Sequence, residues 1–262
     1  MITSIRAGPS AARAVRGVVI AALACAIGPA AIAQAPAAAP APQLQSSPAT
    51  VSGSPAEAKA AAPDTGGSRE DPRTDTGPLP RPQVQTGDEW IYRRSSGRVV
   101  SVVQQAVVQV TADGISLRAQ QPGSPDSSVA VYDRHWGLLA SGYNDYRPAL
   151  AYYSFPLYVG KRWGIDSAVG NFGAGQSGRM KGEGRALGWE TVEVPAGKFL
   201  AMKVEVTIAT ADPGDANRRL AVRETHWYAR TVLRPVRVVS ETTVADEAPQ
   251  VETVELLAYR IE

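Results

Sequence analysis

The sequence predicts an antiparallel all-β domain behind a non-globular N-terminal extension. Three observations carry this. All 17 aromatic residues lie at or after Trp90, so only the C-terminal part of the chain can bury a large core. Apolar residues there recur at every second position in short runs, with no sustained helical period. Gly, Pro, Asp and Asn clusters separate the runs at strand-length intervals. Residues 83–262 suit a single domain, as a curved sheet or as a β-sandwich/half-barrel.

The first 33 residues read as a secretory signal peptide. Arg6, Arg13 and Arg16 precede the apolar run "GVVIAALACAI" at 17–27, Gly28-Pro29 ends it, and Ala31-Ile32-Ala33 supplies a small-residue cleavage site. The run is too short for a stable membrane anchor. "ALAC" at 22–25 offers a second reading, a lipobox that would lipidate Cys25 and make the chain an outer-membrane lipoprotein. Cys25 is the only cysteine, so a chain cut after Ala33 has no disulfide and depends on its core. Without the three signal arginines, 24 basic residues face 25 acidic ones, a balance that gives no electrostatic footprint for nucleic acid.

Residues 34–82 hold 10 of the 20 prolines, 11 alanines and no aromatic residue. Such a segment cannot offset chain entropy by burial and is expected to be a disordered, extended linker. If Cys25 is lipidated, the linker becomes a tether.

The domain begins with a run at 88–94, "DEWIYRR". Runs at 98–111 and 115–120 follow, joined through Asp113-Gly114, a dipeptide that suits a tight hairpin because Gly accepts positive φ. Next come 128–134, a long loop at 137–154, and runs at 162–169 and 178–194. Pro195-Ala196-Gly197 breaks the pattern before 198–210. In that run Leu200, Met202, Val204, Val206 and Ile208 fall on one side, and Ala201, Lys203, Glu205 and Thr207 on the other. "ADPGDA" leads to 217–229, and 235–244 and 251–261 complete the set.

Motifs that carry chemistry fail on context. Gly173-x-Gly175-x-x-Gly178 matches a dinucleotide fingerprint as a string, but an alternating, Gly-broken segment follows it instead of a helix. "GQSGR" at 175–179 lacks the spacing of a nucleophile elbow. Two histidines, His135 and His226, are too few for a histidine metal cluster, and no cofactor is expected. His226 follows Glu224 at strand spacing, so both fall on one face, as a hydrogen-bonded polar pair or a dyad. Asp88 and Glu89 are adjacent and point to opposite faces.

"GDEWIYR" at 87–93, "FPLYVGKRW" at 155–163, "GWETVEVPAGKF" at 188–199 and "HWYAR" at 226–230 occur in a familiar order. With them the chain resembles a family of uncharacterised exported proteins of proteobacteria. Arg230 stands where many relatives have Pro. The resemblance implies export and a β-rich fold and brings no catalytic residues. A more distant likeness to lipoprotein-carrier folds, curved sheets with an apolar concave face, is an analogy.

Nine of the 17 aromatics fall within 132–163. Tyr and Trp combine a large apolar body with a polar handle, so Trp136, Tyr143, Tyr146, Tyr152 and Tyr153 are the candidate ligand-binding residues; the plainer reading is that they cover one end of the core. The sequence thus predicts an exported, periplasmic, non-catalytic domain that binds an apolar ligand or an envelope protein. The alternative is an envelope-assembly or structural accessory tethered through Cys25, with membrane contact only through the lipid.

Overall fold

The computed structural model describes residues 75–171, 176–211, 220–244 and 247–262. The signal peptide, Cys25 and the linker up to residue 74 lie outside the described residues. Within them the regular structure is twelve strands: β1 (Glu89–Ser96), β2 (Val99–Val110), β3 (Ile115–Gln120), β4 (Ser127–Tyr132), β5 (Leu138–Ser141), β6 (Asn144–Leu150), β7 (Arg162–Asn171), β8 (Gln176–Val194), β9 (Gly197–Ala211), β10 (Leu220–Ala229), β11 (Arg234–Val244) and β12 (Gln250–Arg260). Each pairs antiparallel with its sequence neighbours, and β1 pairs with β12, so the sheet closes into a barrel. Closure removes every sheet edge and the aggregation hazard an edge carries. Of the arrangements open at the sequence level, the half-barrel comes nearest.

The long loop expected at 137–154 is instead the β5–β6 hairpin followed by a loop. Leu138–Ser141 is too short for alternation to show, and Pro148 argues against a strand because it lacks a ladder donor. The β6–β7 ladder accordingly covers Asn144–Arg147 and stops before Pro148.

The composition boundary at residue 83 also shifts. Leu79 is buried and exchanges backbone hydrogen bonds with Leu157, at 2.7 and 2.9 Å. Arg230 binds the carbonyls of Gly77 and Pro78 and pairs with Asp75 at 3.1 Å. Proline-rich composition hid a short segment that docks through one leucine and its backbone.

Alternation sets the inside. Met202, Val204, Val206 and Ile208 of β9 are buried as expected, while Leu200 is only partly buried, and Ala201 and Glu205 of the opposite side are buried too. Two of the glycines that interrupt β8 mark close packing. A Cβ on Gly184 would lie 2.2 Å from the Trp163 ring, and one on Gly182 would lie 1.8 Å from the Thr207 carbonyl oxygen. Of the fingerprint-like string, Gly178 sits in β8 opposite Val169, and Gly173 and Gly175 lie outside the described residues.

The end of the barrel at which β1 begins is covered from within the fold. β11 pairs with β12 only over Arg237–Thr242. A bulge in the β1–β12 ladder skips Leu257, and the adjacent Leu256 carbonyl accepts a hydrogen bond from Ala196 at the tip of the β8–β9 hairpin, at 3.0 Å. Phe199 there meets Tyr259 edge to face. Asp88, fully buried, accepts from the Gln85 and Glu262 amides and ties the start of β1 to the segment that follows β12.

Candidate functional site

The most unusual chemistry lies inside the barrel. The β10–β11 turn folds inward, with Val232 fully buried, and four aromatic side chains bind carbonyls of the turn and of the start of β11. The Trp90 indole donates to Val232, the Trp136 indole and the Tyr228 hydroxyl to Leu233, and the Tyr92 hydroxyl to Pro235, at 2.6 to 3.1 Å. Trp136 and Leu233 both have positive φ, 62° and 59°, a conformation costly for such side chains that persists because their surroundings over-determine it.

Arg234 opens β11 with its side chain 2% exposed among these rings. Its guanidinium lies 4.4 Å from the Trp136 ring centre, 5.3 Å from Trp90 and 5.8 Å from Tyr132, and donates to Gln105 Oε1 at 3.1 Å. Cation–π attraction is strongest in such a desolvated box.

Beside the box runs a buried polar chain. Ser240 donates to Glu224 at 3.4 Å, Glu224 Oε2 meets His226 Nε2 at 2.8 Å, and His226 Nδ1 meets the Tyr153 hydroxyl. In the tautomer that satisfies every partner, Nε2–H donates to Glu224 and Nδ1 accepts from Tyr153. The strand spacing of Glu224 and His226 delivers the shared face; Tyr153 arrives from the loop after β6. Nearer the other end, Arg94 binds Glu252 through two hydrogen bonds, both side chains pointing inward.

Burial raises the pKa of the interior phenols. Tyr92 and Tyr146 are pushed up to about 12, partly opposed by Arg234 at Tyr92 and by Asn144 at Tyr146. Tyr152, Tyr153 and Tyr228 are raised by burial as well.

Of the five candidate residues, Trp136, Tyr146, Tyr152 and Tyr153 are buried in this interior, and Tyr143 is 76% exposed on the β5–β6 turn, apart from them. Tyr152 stacks on His226. Between Tyr132, Trp136, Tyr152, Tyr153, His226 and Arg234 there remains a gap of about 10 Å³. That is room for one water, where ligand pockets run to hundreds of Å³. Arg234, Trp90, Tyr92 and Tyr228 escaped the sequence reading. An arginine between Leu233 and Pro235 carries no local sign of burial.

Residues of the four stretches singled out in the sequence hold the architecture. Gly87 takes a positive φ next to Asp88, Leu157 pairs with Leu79, Trp163 packs on Gly184, and the Pro-Ala-Gly turn reaches β12.

No family model matches the chain, and no curated protein matches it. The chain is similar to several solved structures, three of which follow. A candidate lipoprotein from Parabacteroides distasonis is 16% identical, with a TM-score of 0.43, over 70% of this chain and 97% of its own. A candidate exported protein with a YmcC-like fold from Bacteroides fragilis is 14% identical, with a TM-score of 0.44, over 71% of this chain and 100% of its own. The hypothetical lipoprotein YmcC from Escherichia coli is 14% identical, with a TM-score of 0.40, over 70% of this chain and 92% of its own.

Proposed function

We propose that this chain is an exported, non-catalytic β-barrel module that works through its surface, by docking a protein of the cell envelope, and encloses no ligand. The observation that carries this is the filled aromatic end of the interior. The aromatic residues that suggested a ligand groove are occupied with the chain's own groups: Arg234, the Val232 and Leu233 carbonyls, and His226. Glu224, His226 and Tyr153 have the residue types of a proton relay, but they are 1%, 1% and 6% exposed, and no reacting group reaches them without opening the barrel.

The outer face supports a water-facing barrel. Glu205 of β9 pairs with Arg185 of β8 at 2.5 Å and with Arg223 of β10 at 2.9 Å. Glu190 binds Lys203 at 3.0 Å and accepts from the Trp227 indole, and Arg93 pairs with Glu255 at 2.7 Å. A lipid-facing Arg or Lys costs about 2–4 kcal/mol at the bilayer midplane, so this face suits water. Export rests on the Arg-bearing start, the apolar run and the Ala31-Ile32-Ala33 site. The second reading, a module tethered through Cys25, draws on "ALAC" and the proline-rich stretch behind it.

Native mass spectrometry of protein recovered from the envelope fraction tests this. The expected mass is that of the chain cut after Ala33, with no bound small molecule. A stoichiometric apolar adduct would refute the filled-barrel reading. A diacylglycerol-modified Cys25 would favour the tethered accessory.

A further inference from the structure

The barrel's outer surface is unevenly charged. β7 to β12 and β1 carry the cross-strand ion pairs, whereas β2 to β5 contain a single charged residue, Arg118. Outward positions of β2 are Val100, Val102, Gln104, Ala106 and Val108, since Val103, Gln105 and Val107 are buried. Val100 is 62% exposed. Arg118 on β3 is exposed and has no ion pair among the described residues.

The register gives this face a symmetry. Glu89 of β1 lies opposite Ala106 of β2, and Ala106 lies opposite Arg118 of β3. Directly opposed residues point to the same side, so all three form one outward row, with Glu89 and Arg118 each one strand, about 5 Å, to either side of the uncharged strand. Glu89 is bonded to Gln104, but its second oxygen is 3.4 Å from Arg260, a weak contact, and its side chain keeps 20% exposure.

We infer that the β1–β2–β3 face is a homodimer interface, with β2 packed against β2 of a second copy about a two-fold axis parallel to the strands. That axis turns the row end for end. Arg118 then faces the partner's Glu89, Glu89 faces the partner's Arg118, and the β2 valines meet along the axis. The face is self-complementary in charge and apolar where the two copies touch. A two-fold axis across the strands at this row would instead set Arg118 against Arg118, so the charges also select the orientation.

The contact is small. Three strands about 5 Å apart and roughly 30 Å long give on the order of 400 Å² per copy, about half of a standard interface. The dimer is therefore weak and concentration-dependent, and crowding on one side of an envelope would favour it.

Sedimentation velocity on the full mature chain, from about ten micromolar to millimolar, tests the interface. Wild type is expected to shift from monomer to dimer across this range. Arg118→Glu and Glu89→Arg should each weaken the dimer at least tenfold, because each places like charges at both contacts. An equimolar mixture of the two variants should dimerise again, since both contacts are then opposite in sign. Rescue in the mixture, with circular-dichroism melts showing both variants folded, separates interface loss from unfolding. Val102→Lys, on the axis, should abolish the dimer and not respond to mixing. A wild type that stays monomeric throughout, single variants that dimerise like wild type, or a mixture that stays monomeric would each overturn the interface.

Discussion

Val204 and Lys203 are adjacent on β9 and live in opposite surroundings. Val204 is fully buried, while Lys203 lies outside, bonded to Glu190 at 3.0 Å and over the Trp227 ring at 5.5 Å. Val204→Asp buries an unpartnered charge and is expected to cost several kcal/mol, enough to unfold a marginal domain. From alternation alone, Lys203→Asp would be nearly neutral. The structure moves that expectation to a loss of about 1 kcal/mol, because a second carboxylate would face Glu190 and the cation–π contact would go. Thermal melts of the pair check both the facing and the size. Equal damage at the two positions would contradict the assigned faces.

At the scale of an element, the segment before β1 is the sharpest test. Burial of Leu79 and its exchange with Leu157 suggest a contribution of about 2 kcal/mol from one side chain. A chain starting at Gln83 should therefore melt roughly 5 °C below one starting at Asp75. Equal melting temperatures would show that the Leu79–Leu157 contact adds nothing. A second element, the β8–β9–β10 ladder, makes a pH prediction. Burial pushes the Glu205 carboxyl up, but the Arg223 and Arg185 hydrogen bonds outweigh it, and its pKa ends below the ordinary 4.5. A depressed carboxylate contributes stability that is present above its unfolded pKa and lost as pH falls through the folded one. Glu205→Gln should remove part of the acid destabilisation below about pH 4.5 seen in equilibrium denaturation. An unchanged acid limb would show that the two arginines do not hold this carboxylate.

For the whole molecule, the interior phenols set the alkaline limit. Tyr92 and Tyr146, at about 12 when folded, and the likewise raised Tyr152, Tyr153 and Tyr228 all bind their protons more tightly in the folded state. Their contribution is fully present below the unfolded pKa of about 10 and is lost as pH rises towards the folded values. Each phenol that ionises only on unfolding steepens the loss by about 1.4 kcal/mol per pH unit. Stability should hold to about pH 9 and then collapse, with the phenolate absorbance of these residues rising together with the loss of β-sheet dichroism. Gradual phenolate formation in a still-folded barrel would mean that water reaches the interior.

Period-two alternation is a local property, and it determined the β class, most of the strands, the inward side of β9 and the shared face of Glu224 and His226. The Asp88–Glu89 opposition was legible for the same reason, since it depends on bonded neighbours, whereas Gly114, expected to supply positive φ in a tight hairpin, is not among the glycines that adopt it. Composition marked where burial becomes possible but misplaced the boundary, because Leu79 docks alone among prolines. Strands β5 and β6 were hidden by shortness and by Pro148. Tertiary structure alone decided what meets inside. Tyr153 and His226 are 73 residues apart, Trp136 and the Leu233 carbonyl 97, and Trp90 and the Val232 carbonyl 142. Those meetings follow from the closing of β1 on β12 and from the bulges that set register, and no window of sequence contains either partner's position. The same holds outside, where Glu89 and Arg118 share a row only because β2 pairs with both neighbours at Ala106.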